Sequence, residues 1–189
     1  MENLNLVVTT TEFKEFQKIP RLKRRCTITE KIDGTNGLIY IGETGEFLVG
    51  SRTRWIQPGK KTDNYGFAAW ANDNKQELLK LGPGFHYGEW WGLGIQRGYA
   101  ATEKHFSLFN VGRWNQLGVI LPNCVSVVPI LYEGDFDTSS IEIQLDSLKE
   151  RGSSASPGFM DPEGIIIYHT ASRSLFKQTI KDDEKPKGV

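Results

Sequence analysis

The stretch Lys31–Gly37 reads Lys-Ile-Asp-Gly-Thr-Asn-Gly and follows the apolar run Cys26–Thr29. A lysine at the end of a buried strand loses part of its hydration, which favours the neutral amine, the form that acts as a nucleophile. Gly34 allows the backbone to approach a bulky ligand, and Asn36 tolerates the left-handed conformation of a tight turn. A solvated surface turn would have the same composition, so this stretch alone leaves both interpretations open.

Five further motifs follow along the chain, and each places charged or polar residues beside glycine or aromatic residues. They are Ser51–Arg54, Tyr87–Gly92, Phe106–Val111, Asp161–Ile167 and Leu175–Lys177. With Thr29–Gly37 they resemble, in the same order, the motifs of covalent nucleotidyltransferases, which include ATP-dependent polynucleotide ligases and mRNA capping enzymes. The chain is most similar to the nick-sealing RNA ligase branch, because DNA ligases usually carry arginine at the place of Asn36.

The resemblance implies a reaction in three steps. Lys31 is expected to attack the α-phosphate of ATP, expel pyrophosphate and hold AMP as a phosphoramidate. AMP then moves to a 5′-phosphate end, and a 3′-hydroxyl displaces it and closes the strand. The cofactors implied are ATP and Mg²⁺ or Mn²⁺. The partner implied is RNA, as a nicked duplex or as free ends, with DNA as the alternative.

The resemblance also assigns residues to the nucleotide. Glu30 is expected to read the adenine edge with help from backbone groups, and Phe109 to stack on the adenine. Arg52 offers a fork of donors for phosphate or ribose. Lys177 is expected to neutralise the α-phosphate.

Three carboxylates and one amide complete the expected site. The resemblance assigns Glu89, in Gly-Glu-Trp-Trp-Gly, to the ribose and Glu163, in Pro-Glu-Gly, to the metal. Asp33 and Asn36 are expected to orient Lys31 and the incoming end. Phe106 and one of Trp90 and Trp91 are assigned to the core.

The end of the chain departs from the family pattern. The last motif normally carries Lys-x-Lys, but Thr179 stands in the second place, so Lys181, Lys185 or Lys187 is expected to substitute. Because only 12 residues follow Lys177, we expect a single adenylyltransferase domain over residues 1–189 without an appended C-terminal domain. The chain is then either a minimal ligase or a catalytic domain of a longer protein.

Composition adds little. The 189 residues carry 23 Lys and Arg against 23 Asp and Glu, a net charge of zero, so charge alone does not indicate nucleic-acid binding. The basic cluster Lys18–Arg25 is a better candidate for phosphate contacts than the lysines near the C-terminus, because it adjoins the Lys31 motif.

No apolar run approaches the ~20 residues of a membrane span. Cys26 and Cys124 lack metal-type spacing, and we expect a monomer in a reducing cytoplasm.

The periodicity predicts an α+β fold of antiparallel sheets with flanking helices, and the resemblance implies that this is the nucleotidyltransferase domain of the ligase type. Leu38–Ile41 and Glu46–Val49 form a hairpin pattern. A helix is predicted over Asp63–Leu81, with Asp63 as its cap and Gly82-Pro83 as its end.

A second helix is predicted around Ile141–Leu148, capped by Ser139 or Ser140 and followed by Gly152. Val125–Leu131 is predicted to be one strand, at an edge or bulge because of Pro129. Gly152–Gly158 is predicted to be a flexible loop.

Three functions are consistent with these residues. An ATP-dependent RNA ligase comes first, and a DNA ligase or a capping-type nucleotidyltransferase second. A nucleotide-binding module without catalysis is third, because Lys31, Glu89, Glu163 and Lys177 are all intact.

Overall fold

The structure is a computed structural model that describes residues 12–183. The strands in this part of the chain are β1 (Arg25–Lys31), β2 (Thr35–Ile41), β3 (Phe47–Gly50), β4 (Gly84–Gly92), β5 (Lys104–Leu108), β6 (Ser126–Val127), β7 (Ile130–Asp135), β8 (Gly164–His169) and β9 (Ser174–Thr179). The helices are α1 (Phe67–Asp73), α2 (Lys75–Leu78), α3 (Val111–Trp114) and α4 (Thr138–Arg151), with short 3-10 turns at Leu79–Leu81 and Gly98–Ala100. None of the helices within residues 12–183 is long and apolar enough to cross a membrane.

The strands form two sheets, which confirms the predicted α+β class. One sheet has four strands in the order β7-β1-β8-β9, and the other has five in the order β3-β2-β4-β5-β6. Neighbouring strands pair antiparallel, except that β5 and β6 pair in parallel over two residues each. The predicted hairpin is present as β2 and β3.

The stretch Lys31–Gly37 carries the chain from one sheet to the other. Lys31 is the last residue of β1 in the four-stranded sheet, and Thr35 is the first residue of β2 in the five-stranded sheet. A Cβ on Gly34 would collide with the carbonyl oxygen of Trp90 and lie 2.8 Å from Cβ of Trp91. Glycine is therefore needed there because strand β4 passes close by, whereas the sequence suggested a close ligand.

The chain crosses between the sheets a second time near Pro129. We predicted one strand over Val125–Leu131, but the structure divides it into β6 and β7, each at the edge of a different sheet. Proline cannot donate to a ladder, so it suits this break. Its carbonyl accepts a hydrogen bond from Glu30 N at 2.9 Å, and the β1–β7 register shifts between Ile28 and Thr29. The prediction of an edge or bulge is confirmed, and that of a single strand is wrong.

Each sheet has its own core, and a smaller cluster lies beneath the crossing. The five-stranded sheet packs on α1 and α2 through residues that include Phe67, Trp90 and Phe106. The four-stranded sheet packs on α4 through residues that include Ile28, Ile165 and Leu148. The third cluster consists of Ile32, Trp91, Tyr99 and Val128. Phe106 is a core residue as predicted, and both tryptophans are buried.

The first predicted helix is shorter than expected and is interrupted. It begins at Phe67 and breaks at Asn74 before α2. Its N-cap residue is Gly66, not Asp63 as predicted. The Asp63 carboxylate nevertheless accepts hydrogen bonds from the backbone N–H groups of Ala68 at 2.7 Å and Ala69 at 3.0 Å in the first turn. The 3-10 turn Leu79–Leu81 follows α2, and Gly82, with φ of 76°, ends it as the sequence indicated.

The second predicted helix is α4, and its cap differs from the prediction. Asp137, not Ser139 or Ser140, is the N-cap, and its carboxylate accepts from Ser140 N at 2.7 Å. Gly152 ends the helix with φ of 82°, a conformation that glycine adopts without strain.

The close approach at Gly34 gives a test of the fold. Gly34→Ala should lower the free energy of unfolding by about 1–3 kcal/mol, because the added methyl group must displace the backbone of β4. Urea denaturation measures this change.

Gly112→Ala in α3 is the matched control, since the nearest atom to its added Cβ is 3.7 Å away. That variant should be unchanged or slightly more stable. Equal stability of the two variants would contradict the close approach of β4 to Gly34.

Candidate active site

A cleft of about 1260 Å³ opens between residues of the two sheets. Its wall includes Lys31 at the end of β1 and Lys177 on β9 from the four-stranded sheet. From the five-stranded sheet and its loops it includes Asn36, Arg52, Glu89 and Phe109. Glu30 also lines the cleft, so the structure brings seven sequence-predicted site residues to one cavity.

Lys31 on the cleft wall forms an ion pair with Glu163, which is buried and is not among the residues that line the cleft. The distance from Lys31 Nζ to Glu163 Oε2 is 2.6 Å, and the side chain of Glu163 is 2% exposed against 19% for Lys31. The pair follows from strand register: Lys31 lies opposite Gly164 in the β1–β8 ladder, and Glu163 directly precedes Gly164. A buried carboxylate needs such a partner to remain charged.

Glu89 lies on the opposite wall and is bound by the stretch after Lys31. Its Oε1 accepts from Gly34 N at 3.0 Å, and its Oε2 accepts from Asn36 Nδ2 at 3.3 Å. Burial raises the pKa of Glu89 from the ordinary 4.5 to about 7, against the opposing effects of the Lys31 charge and the Gly34 N–H. This carboxyl group is therefore poised between its protonated and ionised forms near neutral pH.

Asp33 is held by Arg97, a residue that the sequence analysis did not select. Arg97 Nε donates to Asp33 Oδ2 at 3.0 Å, and its Nη1 donates to the carbonyl oxygen of Asp161 at 2.9 Å. The backbone N–H of Asp33 also donates to the hydroxyl of Tyr99 at 2.9 Å. Arg97 thus ties the turn after Lys31 to the segment that carries Glu163.

The Asp33 carboxylate fixes the turn after Lys31 through Arg97. Its expected role in orienting Lys31 and the incoming end stays a prediction. Arg97 lies in the glycine-rich stretch Gly92–Gly98, where no hydrophobic periodicity indicates a buried or functional side chain. The sequence signal for this residue was an arginine within a glycine-rich turn.

The structure shows what Glu30 contacts, and its expected role at the adenine edge stays a prediction. Its carboxylate accepts hydrogen bonds from Ser153 Oγ at 2.6 Å, Ser154 N at 2.7 Å and Ala155 N at 2.9 Å. Glu30 is 1% exposed, and it is among the residues that line the cleft with Lys31. Burial raises the pKa of Glu30, and the Ser153 hydroxyl opposes this shift.

The hydrogen bonds of Glu30 contradict our prediction for the segment Gly152–Gly158. We expected a flexible loop, but its first part is anchored to a buried side chain, and Ser153 is 4% exposed. Ser156 Oγ donates to the carbonyl oxygen of Tyr99 at 2.7 Å. The segment is therefore hydrogen-bonded to Glu30 of β1 and to Tyr99, the residue whose hydroxyl accepts from the backbone N–H of Asp33.

The remaining predicted residues lie at the mouth of the cleft. Phe109 follows β5 and is 40% exposed, with its backbone N–H donating to the carbonyl oxygen of Tyr87 at 2.9 Å. Arg52 is exposed after β3. Lys177 lies opposite Ile166 in the β8–β9 ladder. This placement suits a planar base near Phe109 and anionic groups near the two cations.

The candidates for the missing second lysine divide into two groups. Lys181 Nζ donates to Asp161 Oδ1 at 2.6 Å, so it stabilises the segment before Glu163. Lys185 and Lys187 lie outside the described residues. The basic cluster is described, and Lys18, Arg21, Lys23 and Arg24 within it are exposed.

A divalent cation would find oxygen ligands here, but not a complete protein cage. Within residues 12–183, no group of three or more His, Cys, Asp or Glu side chains is arranged to hold a metal ion. Mg²⁺ usually retains several waters and binds one or two carboxylates plus substrate phosphates. Glu163 fits such a hydrated ion, with nucleotide phosphates as the other ligands.

The raised pKa of Glu89 predicts a pH-dependent contribution to stability. A carboxyl group with a higher pKa in the folded state binds its proton more tightly when folded. Its stabilising effect is therefore present below pH 4.5 and is lost as pH rises to about 7. The loss should amount to roughly 3 kcal/mol.

Glu89→Gln removes the titration and keeps the shape of the side chain. Urea unfolding at about pH 5 and about pH 8 should show the variant gaining stability relative to wild type at the higher pH. A constant difference between the two proteins would contradict the burial-raised pKa.

The comparisons with known proteins agree with the fold. The family model described as RNA ligase matches residues 24–181. Comparison with curated protein sequences gives no match. Among solved structures, a mutant of Naegleria gruberi RNA ligase with AMP and Mn is similar at 20% identity and a TM-score of 0.59, over 84% of this chain and 50% of that chain.

Two further structures of the Naegleria gruberi enzyme give similar values. An apo mutant matches at 20% identity and a TM-score of 0.58, over 85% of this chain and 50% of that chain. The enzyme with PPi matches at 20% identity and a TM-score of 0.59, over 83% of this chain and 50% of that chain. The present chain thus spans about half the length of these ligases and shares their fold in that part. On the match over residues 24–181, the chain belongs to the RNA ligase family.

Proposed function

We propose that this protein is an ATP-dependent RNA ligase that works through a covalent lysyl-AMP intermediate. One observation carries the proposal: in a chain of the RNA ligase family, the Lys31 amine lies in a cleft, 2.6 Å from the buried Glu163 carboxylate. A primary amine held in a cleft with cations and an aromatic ring is suited to attack a nucleotide phosphate. The solved relatives with AMP and Mn or with PPi are consistent with this chemistry.

In the first step, Lys31 Nζ attacks the α-phosphorus of ATP. A P–N bond forms, the bond from the α-phosphorus to the bridging oxygen breaks, pyrophosphate leaves and the amine gives up its proton to solvent. Glu163 holds the amine in place before the nucleotide arrives. A divalent cation bound by Glu163 and the ATP phosphates would offset phosphate charge and favour the neutral amine.

The other walls of the cleft would hold the nucleotide still. Phe109 offers an exposed ring for the adenine, a contact worth about 1–3 kcal/mol. Lys177 and Arg52 supply positive charge for the phosphates, which gain negative charge as pyrophosphate leaves. Glu89 is suited to a ribose hydroxyl, because it can accept when ionised and donate when protonated.

Two later steps complete the ligation. An oxygen of an RNA 5′-phosphate attacks the lysyl-AMP phosphorus, the P–N bond breaks and the AMP becomes joined to the RNA end. A 3′-hydroxyl then attacks the 5′-phosphate, closes the strand and releases AMP. The basic cluster Lys18–Arg25 is exposed and offers phosphate contacts for the RNA. Monomeric state and cytoplasmic localisation stay predictions from the sequence.

The covalent intermediate gives the first test of this proposal. Incubation with ATP and Mg²⁺ or Mn²⁺ should add the mass of AMP to the protein, as measured by intact-mass spectrometry. Lys31→Arg should abolish the adduct while keeping a cation beside Glu163, because arginine stays protonated and cannot attack. Lys60→Ala, at an exposed residue, is the matched control and should keep the adduct.

Two outcomes would contradict this assignment. An undiminished adduct in Lys31→Arg would exclude Lys31 as the nucleophile. Labelling by GTP in preference to ATP would favour a capping-type nucleotidyltransferase.

The choice between RNA and DNA gives a second test. A nick flanked by ribonucleotides at its 3′-hydroxyl side should be sealed much faster than an all-DNA nick of the same sequence. The reason is that A-form shape and the 2′-hydroxyl are what distinguish RNA from DNA. Rates are measured from denaturing gels, and equal rates on both nicks would favour a DNA ligase.

A further inference from the structure

The outer face of the five-stranded sheet carries aromatic rings where polar residues are usual. Along β4, Phe85 and Tyr87 are 55% and 54% exposed, whereas His86 between them is buried. Tyr40 on β2 lies directly opposite Phe85 in the ladder. The side chains on a sheet face that is open to water are normally polar. Here the exposed side chains are aromatic, which needs another explanation.

These rings form a continuous line, which we call the aromatic row (Tyr87, Phe85, Tyr40 and Trp55). The ring centroids are 6.3 Å apart between Tyr87 and Phe85, 4.7 Å between Phe85 and Tyr40, and 6.3 Å between Tyr40 and Trp55. Trp55 follows β3 and is 51% exposed. An exposed apolar patch of this kind marks an interaction site.

The aromatic row begins at the cleft. Phe85 and Tyr87 line the same cavity as Lys31 and Phe109. Tyr87 and Glu89 lie two residues apart on β4 and therefore face the same side of the sheet, about 7 Å apart along the strand. Whatever lies along the row consequently reaches into the proposed reaction site.

The charge beside the row is positive. Arg52 lines the cleft, and Arg54 precedes Trp55, with both arginines exposed. Guanidinium groups bind phosphate, and aromatic rings stack on any base, so the combination is typical of surfaces that hold single-stranded nucleic acid. A surface made for an apolar protein partner would not require arginines beside the row.

We propose that the aromatic row binds unpaired bases of the RNA strand whose end lies in the cleft. This inference rests on the proposed ligase function. The bases stack on Tyr87, Phe85, Tyr40 and Trp55 in succession away from Lys31, and Arg52 and Arg54 contact the phosphates. The row therefore positions the strand without reading its sequence.

The test measures binding in the absence of ATP, so that it does not depend on catalysis. The probes are a 5′-phosphorylated RNA oligonucleotide with a 3′ fluorophore and the same strand with abasic sites in place of its bases. Fluorescence anisotropy should show tighter binding of the base-bearing strand by wild type. Trp55→Ala should weaken that binding by about 5- to 140-fold, the range that corresponds to 1–3 kcal/mol of stacking.

Several comparisons keep the test specific. Trp55→Ala should leave binding of the abasic strand and the formation of the AMP adduct unchanged, and Phe85→Ala should also lose base-dependent binding. Ile143→Ala, at a position on α4 that is 61% exposed, is the control and should bind both strands like wild type.

Equal affinity of wild type for the two strands would overturn the inference, as would full base-dependent binding by both Trp55→Ala and Phe85→Ala. If Trp55→Ala and Phe85→Ala lose self-association in a sedimentation experiment but keep RNA binding, the row is instead the contact surface for a second copy of the chain. Absence of the AMP adduct in wild type would contradict the proposed function and leave the binding result to be judged separately.

Discussion

The ion pair between Lys31 and Glu163 is the contact on which the arrangement of the site depends. Both residues lie at ends of neighbouring strands, and Glu163 is almost fully buried. Removing one partner of a buried pair costs about 3–5 kcal/mol, because the other charge is left without compensation. The pair therefore holds the proposed nucleophile at a fixed point on the cleft wall. The same contact must loosen before the amine can attack a phosphate.

The side chains of Arg97 and Glu30 fix the backbone around this pair. Arg97 joins Asp33 to the carbonyl oxygen of Asp161, so the segments that carry Lys31 and Glu163 are connected a second time. Glu30 binds the segment after α4 through three hydrogen bonds. Hydrogen-bonded charged groups define one conformation more sharply than apolar contacts do. The contacts of Arg97 and Glu30 therefore fix the backbone on either side of Lys31.

Much of the site could be predicted from the sequence because its residues stand in local patterns. The glycine turns and the ends of apolar strands located Lys31, Glu89 and Glu163. The structure brings Lys31 and Glu89 to one cleft and pairs Lys31 with Glu163. The hydrogen bonds of Glu30 to Ser153, Ser154 and Ala155 were not predictable, because these partners lie 123 to 125 residues away in the sequence. Arg97 was not predictable, because its partners are 64 residues away in the sequence. The division of Val125–Leu131 between two sheets likewise depends on tertiary structure, although Pro129 indicated an irregular edge.

The central claim is that the Lys31 amine is the group that accepts AMP. The most direct measurement is to react the protein with ATP and Mg²⁺, digest it and locate the AMP-bearing peptide by tandem mass spectrometry. We expect the modification on Lys31, since this amine lies in the cleft beside Glu163. AMP attached to Lys177, Lys181 or another lysine instead would contradict the account.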